Sequence, residues 1–382
     1  MKLACVIHRF GPQITGGSEA HCRAIATQLA ALGHDVEILT SCATDYVTWA
    51  NALPAGESRD GALRVRRFPV SRTRHLNRFR EISECVFAGK ATEADQERWF
   101  HENGPELPGL LDHLRRDGSR YDRILFWSYR YYPSFFGVPL VADRAILVPT
   151  AEDDEIIRTA TILGPFFATP RAYLFLTPEE RDLVAARCDG PLPPSEVIGA
   201  GLAPLAPSPP ASPAGPFALY LGRIEKNKGC DRLIDYFLSY AASGRAGIEL
   251  VMAGPSIMEI PRHPAIRVLG VVDEGTRDGL LAGARVLVMP SPYESLSMVL
   301  LEAWRVGTPA LVYGRCKPLR GQTERADGGL FYEQREEFIE GLSWFVEHAE
   351  RARRFGAQGR AYVEREYQWP VVMGKVSRIL AV

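Results

Sequence analysis

The segment GAGLAPLAPSPPASPAGP at residues 199–216 constrains the fold most, because it consists almost entirely of Gly, Ala, Pro, Ser and Leu. Such a composition cannot build a core and favours extended chain, so we interpret it as a linker. The chain has 382 residues, which is more than one hydrophobic core usually supports. We therefore expect an N-terminal domain at 1–198, a C-terminal domain at 217–360, and a helical segment at 361–382 that crosses back to the first domain.

Short apolar strands alternate with helical segments on both sides of this linker. The first half contains KLACVIH, DVEILTS, RILFW, AILVP and AYLFLT, and the second half contains FALYLGR, IELVMAG, IRVLGVV, RVLVMP and TPALVYG. This alternation is typical of βα units with parallel sheets. We predict an α/β protein with two Rossmann-like, doubly wound parallel-sheet domains that face a central cleft.

The overall composition excludes several classes of protein. A formal net charge of −1 argues against bulk nucleic-acid binding. No uncharged apolar stretch reaches eighteen residues, so we expect no transmembrane helix, and the apolar run in MKLACVIHRF is too short for a signal peptide. The seven cysteines form no CxxC pair and no metal spacing, which fits reduced thiols in a cytoplasm.

A glycine-bearing loop, TGGSE at residues 15–19, separates the first strand from the first helix. Gly16 and Gly17 allow backbone N–H groups to approach a phosphate or a sugar, and the helix dipole favours negative charge there. The loop matches neither the dinucleotide-binding fingerprint nor the P-loop motif. A purely structural strand-to-helix turn is the alternative.

The segment LGRIEKNKG places Arg223 and Lys228 just after the first strand of the second half. Two cations at the carboxyl edge of a parallel sheet can neutralise a diphosphate, and no metal is then required. A pair of exposed charges in a turn is the alternative interpretation.

The segment SPYESLSMVLLEAW carries two acids, Glu294 and Glu302, in an otherwise mostly apolar run. Ser295 or Ser297 can cap the helix that follows, which leaves Glu294 just outside it. At helical pitch Glu302 lies roughly 12 Å along the axis and about 80° around it. Carboxylates accept hydrogen bonds from paired hydroxyls, so sugar and ribose hydroxyls are natural partners. A capping acid plus a salt-bridged helix residue is the alternative.

Three segments together, GGSEAHCRAIATQLAALGHDVEIL, LGRIEKNKGCDRLI and PSPYESLSMVLLEAWRVGTPAL, resemble the signature blocks of family 4 glycosyltransferases. These are retaining enzymes of the GT-B fold that use nucleotide-activated sugars. The blocks occur in the expected order across most of the chain, and the E-x7-E element is specific.

The resemblance implies a role for each block. Glu294 would meet hydroxyls of the donor sugar, Glu302 would hold the nucleotide ribose, and Arg223 and Lys228 would hold the diphosphate. Gly16 and Gly17 would close over the phosphates from the first domain. The helix start, with Ser295, Leu296 and Ser297, would stabilise charge on the leaving diphosphate. The donor is expected to be a UDP or GDP sugar, without a cofactor or a metal.

The acceptor side departs from the family pattern. Where many relatives carry a histidine, often in a His-Asp pair, the stretch LVPTAEDDEIIR offers Glu152, Asp153 and Asp154. His8, at the exit of the first strand, is a further candidate, with a buried core histidine as the alternative. The EDDE run could also suggest the metal site of GT-A transferases, but those folds lack a second βα domain.

Seven arginines and no acid occur between Arg64 and Arg80. They form either a solvated loop or a surface for an anionic membrane leaflet or a phosphate-bearing acceptor. The acceptor would then be a glycan or a lipid-diphosphate-linked glycan at the inner membrane surface, as in polysaccharide or lipopolysaccharide assembly. The rival functions are a non-catalytic sugar-nucleotide-binding partner subunit and a sugar-nucleotide epimerase.

Overall fold

The computed structural model describes residues 1–14, 16–202, 215–245 and 247–382. Contacts divide the chain into two units, one with residues 1–201 and 369–382, and one with residues 202–368. Most of the predicted linker, residues 203–214, lies outside the described residues.

The first unit contains an eight-stranded sheet within its described residues, in the order β3-β4-β2-β1-β5-β6-β7-β8. The strands are β1 Lys2–Val6, β2 Asp35–Ser41, β3 Gly56–Asp60, β4 Leu63–Phe68, β5 Arg123–Trp127, β6 Ala145–Val148, β7 Ala172–Phe175 and β8 Ser195–Val197. All neighbours pair in parallel except β3 and β4, which form an antiparallel edge. The central strands are buried on both faces, as covered parallel sheets require.

Helices connect these strands. They are α1 Gly17–Ala31, α2 Leu76–Phe87, α3 Glu93–Asn103, α4 Pro108–Asp117, α5 Tyr132–Gly137, α6 Glu155–Thr159, α7 Leu163–Phe167 and α8 Pro178–Ala185. Two short 3₁₀ segments follow α4 and α5, at Gly118–Arg120 and Val138–Arg144.

The second unit contains a six-stranded sheet within its described residues, with every neighbouring pair parallel, in the order β11-β10-β9-β12-β13-β14. Its strands are β9 Phe217–Leu221, β10 Glu249–Ala253, β11 Ile266–Gly270, β12 Val286–Met289, β13 Ala310–Tyr313 and β14 Gly329–Tyr332. Its helices are α9 Cys230–Ala242, α10 Glu274–Gly283, α11 Met298–Arg305, α12 Lys317–Ala326, α13 Arg335–Glu347 and α14 Ala349–Glu366, with a 3₁₀ turn at Lys226–Lys228.

The last helix, α15 Trp369–Leu380, contacts β7, β8 and α1 and therefore belongs to the first unit. The predicted helical segment at 361–382 is thus two pieces, because residues up to Glu366 complete α14 in the second unit. Pro370 is the second residue of α15, where a missing N–H costs no helical hydrogen bond.

The structure confirms the ten strands predicted from apolar runs, but of the two interpretations of 64–80 the solvated loop is wrong. That stretch forms β4 and the start of α2. Five of its arginines bond to acids or backbone carbonyls of the first unit: Arg64, Arg66, Arg67, Arg72 and Arg74. Arg78 and Arg80 lie exposed near the start of α2. Most of these arginines are therefore bonded within the first unit and contribute to its fold.

His21 joins three segments of the first unit. Trp127 Nε1, at the end of β5, donates to His21 Nδ1 over 3.0 Å, so the proton of the neutral ring lies on Nε2. Nε2 then donates to the carbonyl of Gly199 over 3.0 Å. Burial lowers the pKa of His21 to about 4, although the bond to Gly199 acts in the opposite direction.

We predict that His21 makes the stability of the first unit depend on pH. The unfolded chain binds a proton on this ring below about pH 6.5, whereas the folded chain does so only near the lowered pKa. This stabilisation is complete above about pH 6.5 and is lost as the pH falls towards 4, with about 2 kcal/mol lost by about pH 5. Urea unfolding followed by circular dichroism should show a smaller loss between about pH 8 and about pH 5 for His21→Gln than for the wild type. Equal losses would contradict the prediction.

Candidate functional site

The candidate site of the second unit lies where two neighbouring strands end. β9 and β12 pair in parallel, with Ala218 opposite Val286 and Leu219 opposite Leu287. The segments that follow them, 222–229 and 290–297, therefore begin at the same edge of the sheet. This carboxyl edge is where ligands of doubly wound sheets bind.

Glycines allow the backbone segments at this edge to touch. Gly229 has φ +72°, and a Cβ atom there would lie 2.2 Å from the carbonyl oxygen of Pro290. Gly254, which follows β10, has φ +138°, and its Cβ would lie 2.0 Å from the carbonyl oxygen of Gly222. A side chain at either position would force the segments apart.

Lys228 and Glu294, two of the predicted residues, form an ion pair at this edge. Lys228 Nζ donates to Glu294 Oε1 over 2.8 Å, and the two side chains are 27% and 13% exposed. Arg223 lies exposed on the same segment, with its guanidinium 3.5 Å from Glu225 and its carbonyl oxygen accepting a hydrogen bond from Tyr220. The edge therefore carries two cations, each beside a carboxylate, and can offer both charged and hydrogen-bonding groups to a polar ligand.

Ser297 caps helix α11. It is one of the two serines, Ser295 and Ser297, that were predicted as possible caps. Its Oγ accepts from the backbone N–H of Leu300 over 3.3 Å. Glu294 lies three residues before this cap, so the predicted helical separation of Glu294 and Glu302 is wrong, because residues 294–297 are not helical. Ser295 is half-buried and Leu296 is buried in the segment that leads into the helix.

Gln322 is a residue of this site that the sequence analysis missed. It is buried on α12, and its Oε1 accepts from the backbone N–H of Ser297 over 3.2 Å. Its side chain thereby fixes the start of α11. No local pattern in the sequence indicates a contact between positions 297 and 322, because it depends on the packing of α12.

Glu302 lies on α11 with its side chain 13% exposed. Arg277 of α10, also missed by the sequence analysis, places Nη2 3.3 Å from Glu302 Oε1. Burial raises the pKa of Glu302, while the positive charges of Arg277 and Arg305 act against this rise. Glu302 is thus a salt-bridged helix residue, as the alternative interpretation predicted. Its carboxylate is 13% exposed and faces Arg277 at 3.3 Å, which is longer than a usual hydrogen bond between charged groups.

In the first unit, Gly16 lies against the side chain of Glu19, and helix α1 begins at Gly17. A Cβ atom at Gly16 would lie 2.1 Å from Glu19 Oε2. Ser18 Oγ donates to Glu19 over 2.9 Å, and both His8 and Arg9 contact its other oxygen. Burial would raise the pKa of Glu19, but His8 and Arg9 hold it well below its usual range. The carboxylate of Glu19 thus already lies at the start of α1, where a phosphate would bind. Phosphate binding by Gly16 and Gly17 stays a prediction.

His8 is buried among aromatic side chains. Its Nε2 lies 3.1 Å from Glu19 Oε1, and its ring centroid lies 4.0 Å from that of Tyr131 and 5.8 Å from that of Trp49. The ring is therefore part of the core, as the alternative interpretation had it, while its Nδ1 has no hydrogen-bond partner among the described residues.

The acidic stretch after β6 is tied to its own surroundings. Asp154 caps α6 by accepting from Ile157 N over 3.3 Å, and it pairs with Arg130 over 2.7 Å. Asp153 pairs with Arg158 over 2.8 Å. Glu152 lies in the turn between them and β6, and its carbonyl accepts from the N–H of Asp154. In the described part of the chain, no group of three or more His, Cys, Asp or Glu is placed to hold a metal ion.

Glu180 is a buried acid that sequence reasoning did not single out. It accepts the N–H groups of Ala151 and Leu176, each over 2.6 Å, and so joins the segments that follow β6 and β7. Burial raises the pKa of Glu180 to about 8, while these N–H bonds oppose the rise.

The chain is similar to known proteins in both sequence and fold. Residues 207–362 match the family described as Glycosyl transferases group 1. An uncharacterized glycosyltransferase of Methanocaldococcus jannaschii is 24% identical over 348 residues, which cover 82% of this chain and 80% of that protein. A GDP-mannose-dependent alpha-(1-6)-phosphatidylinositol dimannoside mannosyltransferase of Mycobacterium tuberculosis is 34% identical over 154 residues, which cover 38% of this chain and 39% of that protein.

Among solved structures, sucrose-phosphate synthase from Thermosynechococcus elongatus superimposes with a TM-score of 0.71 at 18% identity, covering 99% of this chain and 98% of that one. The predicted fold class is confirmed: the chain has the GT-B type of fold, with two Rossmann-like parallel-sheet domains. The region that matches the glycosyltransferase family model lies in its second half. Among the described residues, no helix has the length and apolar character needed to cross a membrane.

We predict that Gly229 is required for the two site segments to meet. Gly229→Ala should lower the free energy of unfolding by at least about 3 kcal/mol, because strained backbone and a clash with Pro290 combine. Gly244→Ala is the matched control, since Gly244 also has a positive φ but its Cβ would meet nothing within 4 Å. The control should cost only about 1 kcal/mol in the same urea titration. Equal costs would show that the close approach is unimportant.

Proposed function

We propose that this protein is a metal-independent, retaining glycosyltransferase that moves a hexose-type sugar from a nucleotide-diphosphate sugar to a hydroxyl group of a glycan or lipid-linked acceptor. The observation that carries the proposal is the Lys228–Glu294 ion pair at the carboxyl edge of the second sheet, three residues before a capped helix. It supports the proposal because it combines a phosphate-binding cation with a carboxylate that accepts hydroxyl groups.

The reaction divides the roles of these residues. The bond between the anomeric carbon and the phosphate oxygen breaks through an oxocarbenium-like state, and the leaving diphosphate gains negative charge. In this proposal Lys228, Arg223 and the segment that leads into α11 stabilise that charge, with the backbone N–H groups of Ser295 and Leu296 as donors. Glu294 holds hydroxyls of the sugar, and Glu302 holds those of the ribose. The acceptor hydroxyl adds to the same face of the sugar, and its proton passes to the leaving phosphate.

In this proposal the first unit contributes the acceptor side through the turn that holds Glu152, Asp153 and Asp154, whereas His8 is buried in the core. A lipid-linked acceptor is supported by the Mycobacterium tuberculosis relative, whose name includes a phosphatidylinositol dimannoside. We propose a cytoplasmic enzyme of surface polysaccharide or lipopolysaccharide assembly, with a UDP or GDP sugar as its donor.

The direct test is calorimetric titration with UDP, GDP, ADP and dTDP. We expect one ribonucleoside diphosphate to bind best and Glu302→Gln to lose most of that affinity. Hydrolysis or transfer of the matching sugar donor would then exclude a non-catalytic sugar-nucleotide binder. Absence of binding at millimolar nucleotide would overturn the proposal, and binding without turnover would favour the partner subunit.

We predict that Lys228→Met slows donor turnover by on the order of 10²- to 10³-fold, as for the loss of one preorganised donor to a developing charge. Lys226→Met is the matched control, because Lys226 is exposed on the same 3₁₀ turn and the same charge is removed. Product formation under saturating donor should fall in the first variant alone. Similar rates in both variants would remove Lys228 from the mechanism.

We predict that membrane association, if the acceptor is lipid-linked, depends on Arg78 and Arg80. Arg72 and Arg74 are unsuitable for the test, because both bond to residues of the first unit. Arg78→Ser with Arg80→Ser should weaken sedimentation with anionic vesicles by on the order of tenfold. Arg351→Ser with Arg354→Ser removes the same charge from an exposed part of α14 and should leave sedimentation unchanged. Unchanged binding in the first pair would refute a membrane role for 64–80.

A further inference from the structure

Helices α10 and α11 are joined by a loose network of four charged side chains. Arg277 Nη2 lies 3.3 Å from Glu302 Oε1 and 3.6 Å from Asp278 Oδ1, and Arg305 Nη2 lies 3.8 Å from the same Asp278 oxygen. Direct N–H···O bonds between charged groups are usually about 2.7–2.9 Å long. The network therefore supplies charge to Glu302 without occupying its lone pairs.

The groups of this network are largely withdrawn from water. Glu302, Asp278 and Arg305 are 13%, 17% and 14% exposed, whereas Arg277 is 35% exposed. The Nε atom of Arg277 is buried and has no hydrogen-bond partner among the described residues. Leaving such a donor unsatisfied costs free energy, so the network is not optimised for stability.

The charges that face Glu302 come from both helices and have opposite signs. Arg277 and Arg305 favour the ionised carboxylate, while Asp278 and Glu274 oppose it. Among the described residues, Arg277 is the cation within ion-pair distance of the Glu302 carboxylate. Removing it leaves a buried acid beside two other acids, with Arg305 as the remaining cation.

We propose that Arg277 is the positioning residue for Glu302, which keeps that carboxylate ionised and oriented so that it accepts both hydroxyls of a nucleotide ribose. The inference rests on the proposed function, in which Glu302 binds the ribose. An ionised carboxylate is acceptor-only, whereas a protonated one spends one oxygen as a donor and fits a pair of hydroxyl donors less well. Arg277 acts through Glu302 and need not touch the ligand.

The test compares a ribonucleotide with its 2′-deoxy analogue in calorimetric titrations. The probes are UDP with dUDP, or GDP with dGDP, whichever base binds the wild type. Arg277→Met should weaken binding of the ribonucleotide by about tenfold and that of the deoxynucleotide by much less. Between about pH 8 and about pH 6 its ribonucleotide affinity should fall by about tenfold, against less than about threefold for the wild type, because protonation of Glu302 moves to higher pH. Arg277→Lys should restore part of both effects.

Two further variants make the outcomes distinct. Arg335→Met removes the same charge from an exposed ion pair with Asp235 and should change neither ratio. Glu302→Gln should abolish the preference for ribose over deoxyribose whatever Arg277 does. If Arg277→Met weakens both nucleotides equally with an unchanged pH profile, or has no effect, the proposal is overturned while the role of Glu302 stands. If Glu302→Gln keeps the preference for ribose, the assigned role of Glu302 fails, and the inference about Arg277 fails with it. Thermal unfolding of each variant separates these results from a loss of folding.

Discussion

The parallel pairing of β9 with β12 is the constraint on which the site of the second unit depends. Two parallel neighbours deliver their following segments to one edge of the sheet, so residues that are far apart in the chain become neighbours. Lys228 and Glu294 are separated by 66 positions and meet over 2.8 Å. Gly229 allows the approach, since its Cβ would collide with Pro290. The cap at Ser297 then fixes where α11 begins, and α11 carries Glu302.

The ion pair between Lys228 and Glu294 has little value as a stabilising contact. Partly exposed pairs contribute about 0–1 kcal/mol, because side-chain ordering and hydration offset the Coulomb attraction. What the Lys228–Glu294 pair provides instead is two opposite charges already held together at the edge of the sheet. A ligand with both phosphates and hydroxyls meets a cation and a carboxylate at the same place, and less reorganisation remains for the transition state.

The strands and the two-domain arrangement were predictable because buried parallel strands are short, continuous apolar runs, as in RILFW and FALYL. The helix cap was also predictable, because Ser297 precedes an apolar helix. The arginines of 64–80 were misjudged, because their partners, such as Glu37 for Arg66 and Glu106 for Arg72, are distant in sequence. Arg277 and Gln322 were missed for the same reason. Local patterns specify elements, whereas the partner of a charged side chain is specified by packing.

Glu19 of the first unit and Glu302 of the second are satisfied to different degrees, and this difference bears on which of them can bind a ligand. In the first unit, Glu19 accepts bonds from Ser18, His8 and Arg9, and its charge is stabilised by its own fold. Redirecting such a buried, fully bonded acid to a ligand would cost the bonds it already makes. In the second unit, Glu302 faces Arg277 at ion-pair distance with lone pairs to spare. Exchange of water for ligand hydroxyls there breaks no strong bond. The loosely paired Glu302 carboxylate is therefore a better receptor for a polyol than Glu19.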